Sequence, residues 1–451
     1  MKSVSIIGLG KLGSPMAACF AAQGFQVHAV DLDAVKVDAI NRAEAPLHEP
    51  GLAQLIRDGA ANLQASQNCE AAVRESDATF IIVATPSEAS GGFSLKYALP
   101  TCESIGKALR KKSTYHLVVM TSTVMPGSTG TEIKTALERA SGKRCGVDFG
   151  LCYSPEFIAL GTVIRDFYYP DFLLIGEVDS RAGETLAGIY SGVCKNSPGV
   201  ARMNFINAEI TKLAVNTYIT TKISYANMLA RLCEKLPDAD VNVVTDALGL
   251  DTRIGAKYLK GAVSYGGPCF PRDNRALAAL AASVGASSGL AEATDRFNRA
   301  QIKSVAEIIK THHITSEPIA ILGLTYKPNT DVVEEAFGLL LAQELGHAGI
   351  AVTVFDPSAN PEKVVATGKN ITFAKSAADC LAKSSVAVLA TPWQEFKDLA
   401  KDNWLRPNRT RTVIDCWRAL GHLQNADGIN YVRLGFGPPS AKSIAAGSNG
   451  D

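Results

Sequence analysis

Charge imbalance is missing from this chain: 45 lysines and arginines stand against 44 aspartates and glutamates in 451 residues, a formal net charge of +1. So even a balance matches neither the phosphate backbone of a nucleic acid nor an anionic membrane surface. Long apolar runs are missing too. No segment approaches the roughly 18–20 apolar residues of a membrane span. The run after Met1-Lys2 is broken by Gly8 and Gly10, so it reads as a strand and not as the apolar part of a signal peptide. Close cysteine pairs are missing as well. The ten cysteines are scattered, the nearest two being Cys145 and Cys152, and none has the Cys-x-x-Cys spacing of a zinc or redox site. No metal is expected, and a cytoplasmic protein with reduced thiols is the simplest account. What remains is ordinary globular composition, 47% hydrophobic and 20% charged, in a chain long enough for about two to four domains.

Val4–Ile7 reads as a short strand, followed by Gly8-Leu9-Gly10-Lys11-Leu12-Gly13 and the alanine-rich Pro15–Ala22. A second strand, Val27–Val30, ends in Asp31. Gly-x-Gly-x-x-Gly alone is weak, but with a strand before it, a helix after it and an acid closing the next strand it points to a dinucleotide. The glycines let pyrophosphate approach the helix N-terminus. Asp31 would bond the adenosine ribose hydroxyls and repel a 2′-phosphate, which favours NAD over NADP. Further strands at Thr79–Ala84 and Leu117–Met120 lead into Thr85-Pro86-Ser87 and Thr121-Ser122-Thr123, where a parallel sheet would present ligand-binding loops.

From Asn207 to about Leu236 there is no glycine or proline and the apolar residues fall at helical spacing. Such a helix bridges domains or makes a subunit interface. After Ser316 the first pattern returns, with Ile319–Leu322 before Gly323, Val352–Phe355 before Asp356, and Val386–Ala390 before Thr391-Pro392. The fold class expected is α/β: two Rossmann-type parallel-sheet domains joined by a helical middle domain with one long helix. The boundaries are 1–203, 204–300 and 301–436, with 437–451 a disordered tail. The second Rossmann half lacks the three-glycine turn and should hold a nucleotide differently, with Lys327 at a phosphate. The alternative for Lys327 is a solvated loop residue.

Gly266-Gly267-Pro268-Cys269-Phe270-Pro271-Arg272-Asp273 presents a thiol between two prolines, after a pair of glycines, with a cation and a carboxylate just beyond. A thiolate is the nucleophile, and nearby positive charge lowers its pKa. The bland alternative is a small buried hydrophobe.

These pieces resemble the UDP-glucose/GDP-mannose 6-dehydrogenase family, across nearly the whole chain to about Arg418. The resemblance rests on Gly8–Gly13, Asp31 with Lys36-Val37, Glu49-Pro50-Gly51-Leu52, Thr85-Pro86, Ser122-Thr123-Val124 and Pro155-Glu156-Phe157. It continues through Phe205–Ile210 with Lys212-Leu213 and Asn216, Arg253-Ile254-Gly255 with Lys260, Gly266–Asp273, and Tyr326–Asp331.

The resemblance implies oxidation of a nucleotide-sugar primary alcohol to a carboxylate with two NAD reduced, by a homodimer or higher homo-oligomer. It implies Cys269 as nucleophile, Lys212 as oxyanion stabiliser and Asn216 sharing that role while holding the sugar. Asp273 would position or deprotonate water, and Glu156 and Thr123 would hold a water near C6. The cofactor set is Gly8, Gly10, Leu12, Gly13, Asp31, Lys36, Thr85, Thr123 and Arg272. The sugar-nucleotide set adds Phe157, Ile158, Tyr258, Gly266 and Lys327, with Arg253 reaching into a partner's site. UDP-glucose is the leading substrate, with GDP-mannose or a UDP-N-acetylhexosamine as alternatives.

Three positions depart from the family pattern. Leu160 replaces an acid, Arg272 replaces a lysine, and Glu334 replaces an arginine that faces the cofactor, and these bear on NAD affinity and sugar identity. Two other classes compete. A two-electron β-hydroxyacid-type dehydrogenase needs neither Cys269 nor residues 318–420, and a non-catalytic sensor needs none of Cys269, Lys212, Asn216 and Asp273.

Overall fold

The computed structural model describes residues 2–314 and 316–440. Its two compact units are Met1–Val215 with Ala279–Ala286, and Asn216–Ala278 with Ser287–Asp451. The division falls inside one 29-residue helix, Phe205–Cys233, close to the span its glycine-free stretch predicts.

The first unit is built on eight strands: β1 (Ser3–Ile7), β2 (Gln26–Val30), β3 (Leu63–Ser66), β4 (Ala78–Ile81), β5 (Leu117–Met120), β6 (Gly150–Tyr153), β7 (Phe172–Glu177) and β8 (Gly199–Met203). Their order is β3-β2-β1-β4-β5-β6-β7-β8. Every neighbouring pair is parallel except β6 and β7. Helices cover both faces of such a sheet, so its strands read as unbroken apolar runs, and β4 and β5 are buried at every residue. Phe20, Phe80, Phe167 and Tyr190 interlock in the core, with ring centroids 5.3–6.3 Å apart.

The second unit carries β9 (Ile319–Leu322), β10 (Val352–Phe355), β11 (Ile371–Phe373), β12 (Val386–Leu389), β13 (Arg411–Asp415) and β14 (Ile429–Arg433). Their order is β11-β10-β9-β12-β13-β14, all parallel.

The two sheets share a local device at their first strand. Gly8 N donates to Val30 O (2.7 Å) and Leu9 N to Asp31 Oδ2 (2.7 Å). In the second unit Gly323 N donates to Phe355 O (2.8 Å) and Leu324 N to Asp356 Oδ2 (2.7 Å). A Cβ on Gly13 would stand 1.8 Å from Gly8 O, and one on Gly338 would stand 2.0 Å from Gly323 O. Strand and helix therefore touch through glycine in both units. Between the touching glycines the first unit has four residues and the second has fourteen, 324–337.

The segment 437–440, expected to begin a disordered tail, is tied to the loop after the long helix. Gly437 N donates to Ala239 O (2.9 Å) and Asp238 N to Pro438 O (2.9 Å). The rest of that expected tail, 441–451, lies outside the described residues.

Candidate active site

The glycine turn of the first unit forms a cradle. Gly8 has φ +106°, which favours glycine, and a Cβ on Gly10 would meet nothing within 4 Å. That space lies at the start of the helix Gly13–Ala22, whose N-terminal residue Leu12 provides no side-chain cap. With no side-chain cap there, the positive end of the helix dipole faces that space and favours an anion. Asp31 Oδ1 accepts from Asp33 N (2.9 Å), and Lys36 Nζ reaches Asp31 Oδ2 at 3.3 Å. Asp31 is oriented yet still 13% accessible at its side chain. These residues fit NAD: a pyrophosphate over the glycines and a ribose at the acid.

The second unit closes the equivalent acid. Asp356, 3% exposed, accepts from Leu324 N, Thr325 N and Oγ1, Ser358 N, Ala359 N and Trp393 Nε1, all within 3.1 Å. Six donors saturate it. Asp356 therefore has no open acceptor of the kind Asp31 keeps.

Thr85 and Thr123 come together at the ends of neighbouring strands, Thr85 Oγ1 donating to Thr123 O (2.8 Å). Glu209, buried in the long helix, accepts from Gly127 N (2.6 Å) and Thr129 N (2.9 Å) and so anchors the loop after Thr123.

Glu156, Phe157 and Lys212 form a second cluster in the first unit. Lys212 Nζ donates to Glu156 O (2.6 Å) and lies 4.4 Å from the Phe157 ring centroid. Tyr190 Oη donates to Glu156 Oε1 (3.0 Å), and Ser154 Oγ is 3.1 Å from the same hydroxyl. Burial pushes the Glu156 carboxyl up to about 7, against the Tyr190 hydrogen bond and the Lys212 charge, which pull it down. Ile158 is half-buried beside them. At the departure Leu160 no acid is present. Glu49 holds this turn instead, accepting from Gly161 N and Val163 N (2.8 Å each).

In the second unit Asn216 Nδ2 donates to Asp273 Oδ2 (2.6 Å), and Arg272 Nε lies 3.4 Å from Asp273 Oδ1. Asp273 is 1% exposed, and its N–H bonds Cys269 O (2.8 Å) at the start of the helix Phe270–Ser283. Of the ten cysteines Cys269 alone is exposed. Burial raises the thiol pKa of each of the other nine. A Cβ on Gly266 would meet Glu335 O at 2.2 Å, and Gly267 N donates to Glu334 O (3.0 Å). The cysteine loop therefore lies against 334–335 by backbone, whatever side chain stands at 334. The Glu334 side chain itself is exposed.

Arg253 stands apart. Its guanidinium pairs with Asp251 through Nε (3.0 and 3.2 Å) and Nη2 (2.6 Å), the intramolecular ion pair that was the alternative for it. Tyr258, with φ +66°, is exposed nearby in sequence. Lys327 Nζ lies 5.9 Å from the Tyr326 ring centroid. Among the described residues no cluster of three or more metal-binding side chains occurs. No described helix is long and apolar enough to cross a membrane.

Three positions gain roles that sequence reasoning missed. Glu49 and Glu209 lie in stretches already singled out but carried no role, whereas Tyr190 gave no signal, being one aromatic on the buried face of the amphipathic helix Ser180–Ser191.

Comparison with known proteins agrees with this arrangement. Family models for the UDP-glucose/GDP-mannose dehydrogenase family match its NAD binding domain at residues 2–194, its central domain at 206–300 and its UDP binding domain at 320–422. The chain is 36% identical to a UDP-glucose 6-dehydrogenase of Haloferax volcanii over 427 residues, 94% of this chain and 98% of that protein. It is 32% identical to a GDP-mannose 6-dehydrogenase of Azotobacter vinelandii over 88% of this chain and 93% of the relative. A solved UDP-glucose dehydrogenase from Pyrobaculum islandicum superposes with a TM-score of 0.86 at 30% identity, covering 97% of this chain and 98% of that one. With all three domains present in order, an NAD cradle of the right geometry and relatives matched along nearly their full length, the chain belongs to the UDP-glucose/GDP-mannose dehydrogenase family, a group of NAD-dependent oxidoreductases acting on nucleotide sugars.

Proposed function

We propose that this protein oxidises the C6 primary alcohol of a nucleotide sugar, UDP-glucose or a close analogue, to the uronic acid in two successive oxidations. The observation that carries the reading is Cys269, the one exposed thiol of ten, on a loop built from Gly266 and Gly267 and joined to the Asn216–Asp273 pair. Bound NAD supplies the hydride acceptor for each oxidation.

Lys212, held by the Glu156 carbonyl, places a positive charge for the alkoxide formed as the alcohol loses its proton. Hydride loss from C6 then leaves the aldehyde. The Cys269 thiolate adds to its carbon, the carbonyl electron pair moves to oxygen, and a proton completes a thiohemiacetal. Hydride loss from the same carbon, with loss of the hydroxyl proton, gives a thioester. Water adds to the thioester, the C–S bond breaks, and the carboxylate leaves with the thiol regenerated. In this reading Asp273 orients that water from its bond to Asn216, and Glu156 with Thr123 holds water near C6. A two-electron dehydrogenase has no use for the thiol.

We further propose a homodimer. The helix Phe205–Cys233 leaves Tyr218, Tyr225, Met228 and Leu232 exposed at helical spacing, an unpartnered apolar stripe. In that assembly Arg253 would exchange Asp251 for the partner's substrate. The parts 1–203, 204–300 and 301–436 would serve cofactor, dimer and nucleotide respectively. Ten cysteines with no disulfide between them suit a reducing cytoplasm.

The test is incubation with NAD and a panel of UDP- and GDP-sugars, counting NADH against sugar consumed. Two NADH per sugar with a uronic-acid product supports the reading. One NADH with free aldehyde overturns it.

A further inference from the structure

Cys269 is reached through a segment that is buried but has no neighbouring strand. Residues 261–265 are all buried and belong to no helix or strand. A buried irregular segment must find partners for its backbone groups elsewhere. Three side-chain amides from two helices provide them. Asn227 Oδ1 accepts from Ala262 N (2.9 Å) while its Nδ2 donates to Val263 O (2.9 Å). Asn298 Oδ1 accepts from Tyr265 N (2.8 Å) while its Nδ2 donates to Tyr265 O (2.9 Å). Gln301 Nε2 donates to Ala262 O (3.3 Å), and Arg231 Nε and Nη2 occupy Gln301 Oε1 at 3.2 Å each.

Asn227, Asn298 and Gln301 are 0%, 6% and 3% exposed. Each asparagine offers one acceptor and one donor, as a residue of an adjacent strand would. These bonds fix Ala262 through both backbone groups, Val263 through its carbonyl and Tyr265 through both backbone groups, so the segment is held in one register.

Little slack separates this clamp from the thiol. Three residues, Gly266, Gly267 and Pro268, separate Tyr265 from Cys269, and the two glycines pack on Glu335 and Tyr326. Beyond the thiol, Asn274 Nδ2 donates to Phe270 O (3.0 Å) and Thr220 Oγ1 (2.9 Å), and lies 3.4 Å from Tyr265 Oη. Cys269 is bracketed on both sides by amides that meet at Tyr265.

We infer that Asn298, with Asn227 and Gln301, is a positioning residue that sets the placement of the Cys269 sulfur for the second oxidation. The inference rests on the four-electron reading above. The first oxidation forms no bond to sulfur. The second does, and a reacting atom misplaced by about 1 Å can lose on the order of 10²-fold in rate. A loosened clamp therefore leaks aldehyde rather than slowing both steps alike.

The test uses the full-length protein with NAD and the nucleotide sugar that the wild type oxidises best. It reads NADH per sugar and the aldehyde trapped by hydroxylamine. Asn298→Asp keeps the shape and the acceptor for Tyr265 N but faces Tyr265 O with a second acceptor. The expected result is a first oxidation near the wild-type rate, an NADH ratio falling from two toward one, and trapped aldehyde. Gln301→Glu, which keeps the acceptor for Arg231 but loses the donor to Ala262 O, should shift the ratio the same way but less, and it carries the test if Asn298→Asp does not fold.

A folded variant that gives two NADH at the wild-type rate without aldehyde overturns the inference. So does one that slows both oxidations equally, since that is what a purely structural amide would do. A wild type that stops at one NADH overturns the proposed function itself, and this inference with it.

Discussion

Glu156 shows how one carboxyl is tuned by its surroundings. Its pKa lies near 7 because burial disfavours the charge, while Tyr190 and Lys212 limit the rise. Below about pH 7 it is protonated and cannot accept a proton from water, and above it the carboxylate is available. Acid release should therefore fall as pH drops through about 7. Glu156→Gln should flatten that limb and slow hydrolysis, because a neutral amide holds the water near C6 without the carboxylate's charge. Quenched-flow measurement of thioester hydrolysis across pH 5–9 checks this, and an unchanged limb in the variant assigns the titration elsewhere. At this scale Cys269 was legible because glycine, proline and charge surround it in one short stretch. Tyr190 was not, since its partner Glu156 is brought to it by the first sheet from 34 residues away. The clamp residues Asn227, Asn298 and Gln301 were hidden for the same reason. An asparagine in a helix does not announce that it bonds a distant backbone.

Elements repeat the lesson with glycine. The strands buried on both faces were readable as apolar runs, and Leu117–Met120, Ile319–Leu322 and Val352–Phe355 fall where those runs predict. Edge strands were harder. β8 is half-exposed with no apolar run, and β3 is four residues long with alternating burial. The kinship of the two glycine turns was masked by the length of 324–337, which separates the touching glycines in sequence but not in space. The turns yield a paired prediction. Gly10→Ala meets no atom within 4 Å and should leave thermal stability unchanged. It should raise the KM for NAD about tenfold, roughly 1.4 kcal/mol, by entering the pyrophosphate space. Gly13→Ala drives a methyl into Gly8 O and should cost about 3 kcal/mol or more of stability. Calorimetry and NAD titration of both variants separate the roles. A Gly10→Ala enzyme with wild-type NAD affinity would remove the cofactor from this turn.

At the scale of the whole molecule, the apolar stripe on the helix Phe205–Cys233 predicts self-association. The wild type should sediment as a dimer at least. Tyr218→Asp with Leu232→Asp should give a folded monomer of much lower activity, because Arg253 would then lack a partner site. An active wild-type monomer at assay concentration contradicts this. The central claim is that Cys269 acts after the first hydride has left and before the acid forms. A single-turnover experiment tests it most directly, with enzyme in excess over sugar and NADH followed by absorbance. Cys269→Ser should release about one equivalent of NADH and stop, because a serine hydroxyl lacks the thiolate's nucleophilicity. Lys212→Ala should instead approach two equivalents slowly, by about 10²–10³-fold, because it loses charge stabilisation in both oxidations. Turnover of Cys269→Ser to the acid at the wild-type rate would contradict the account.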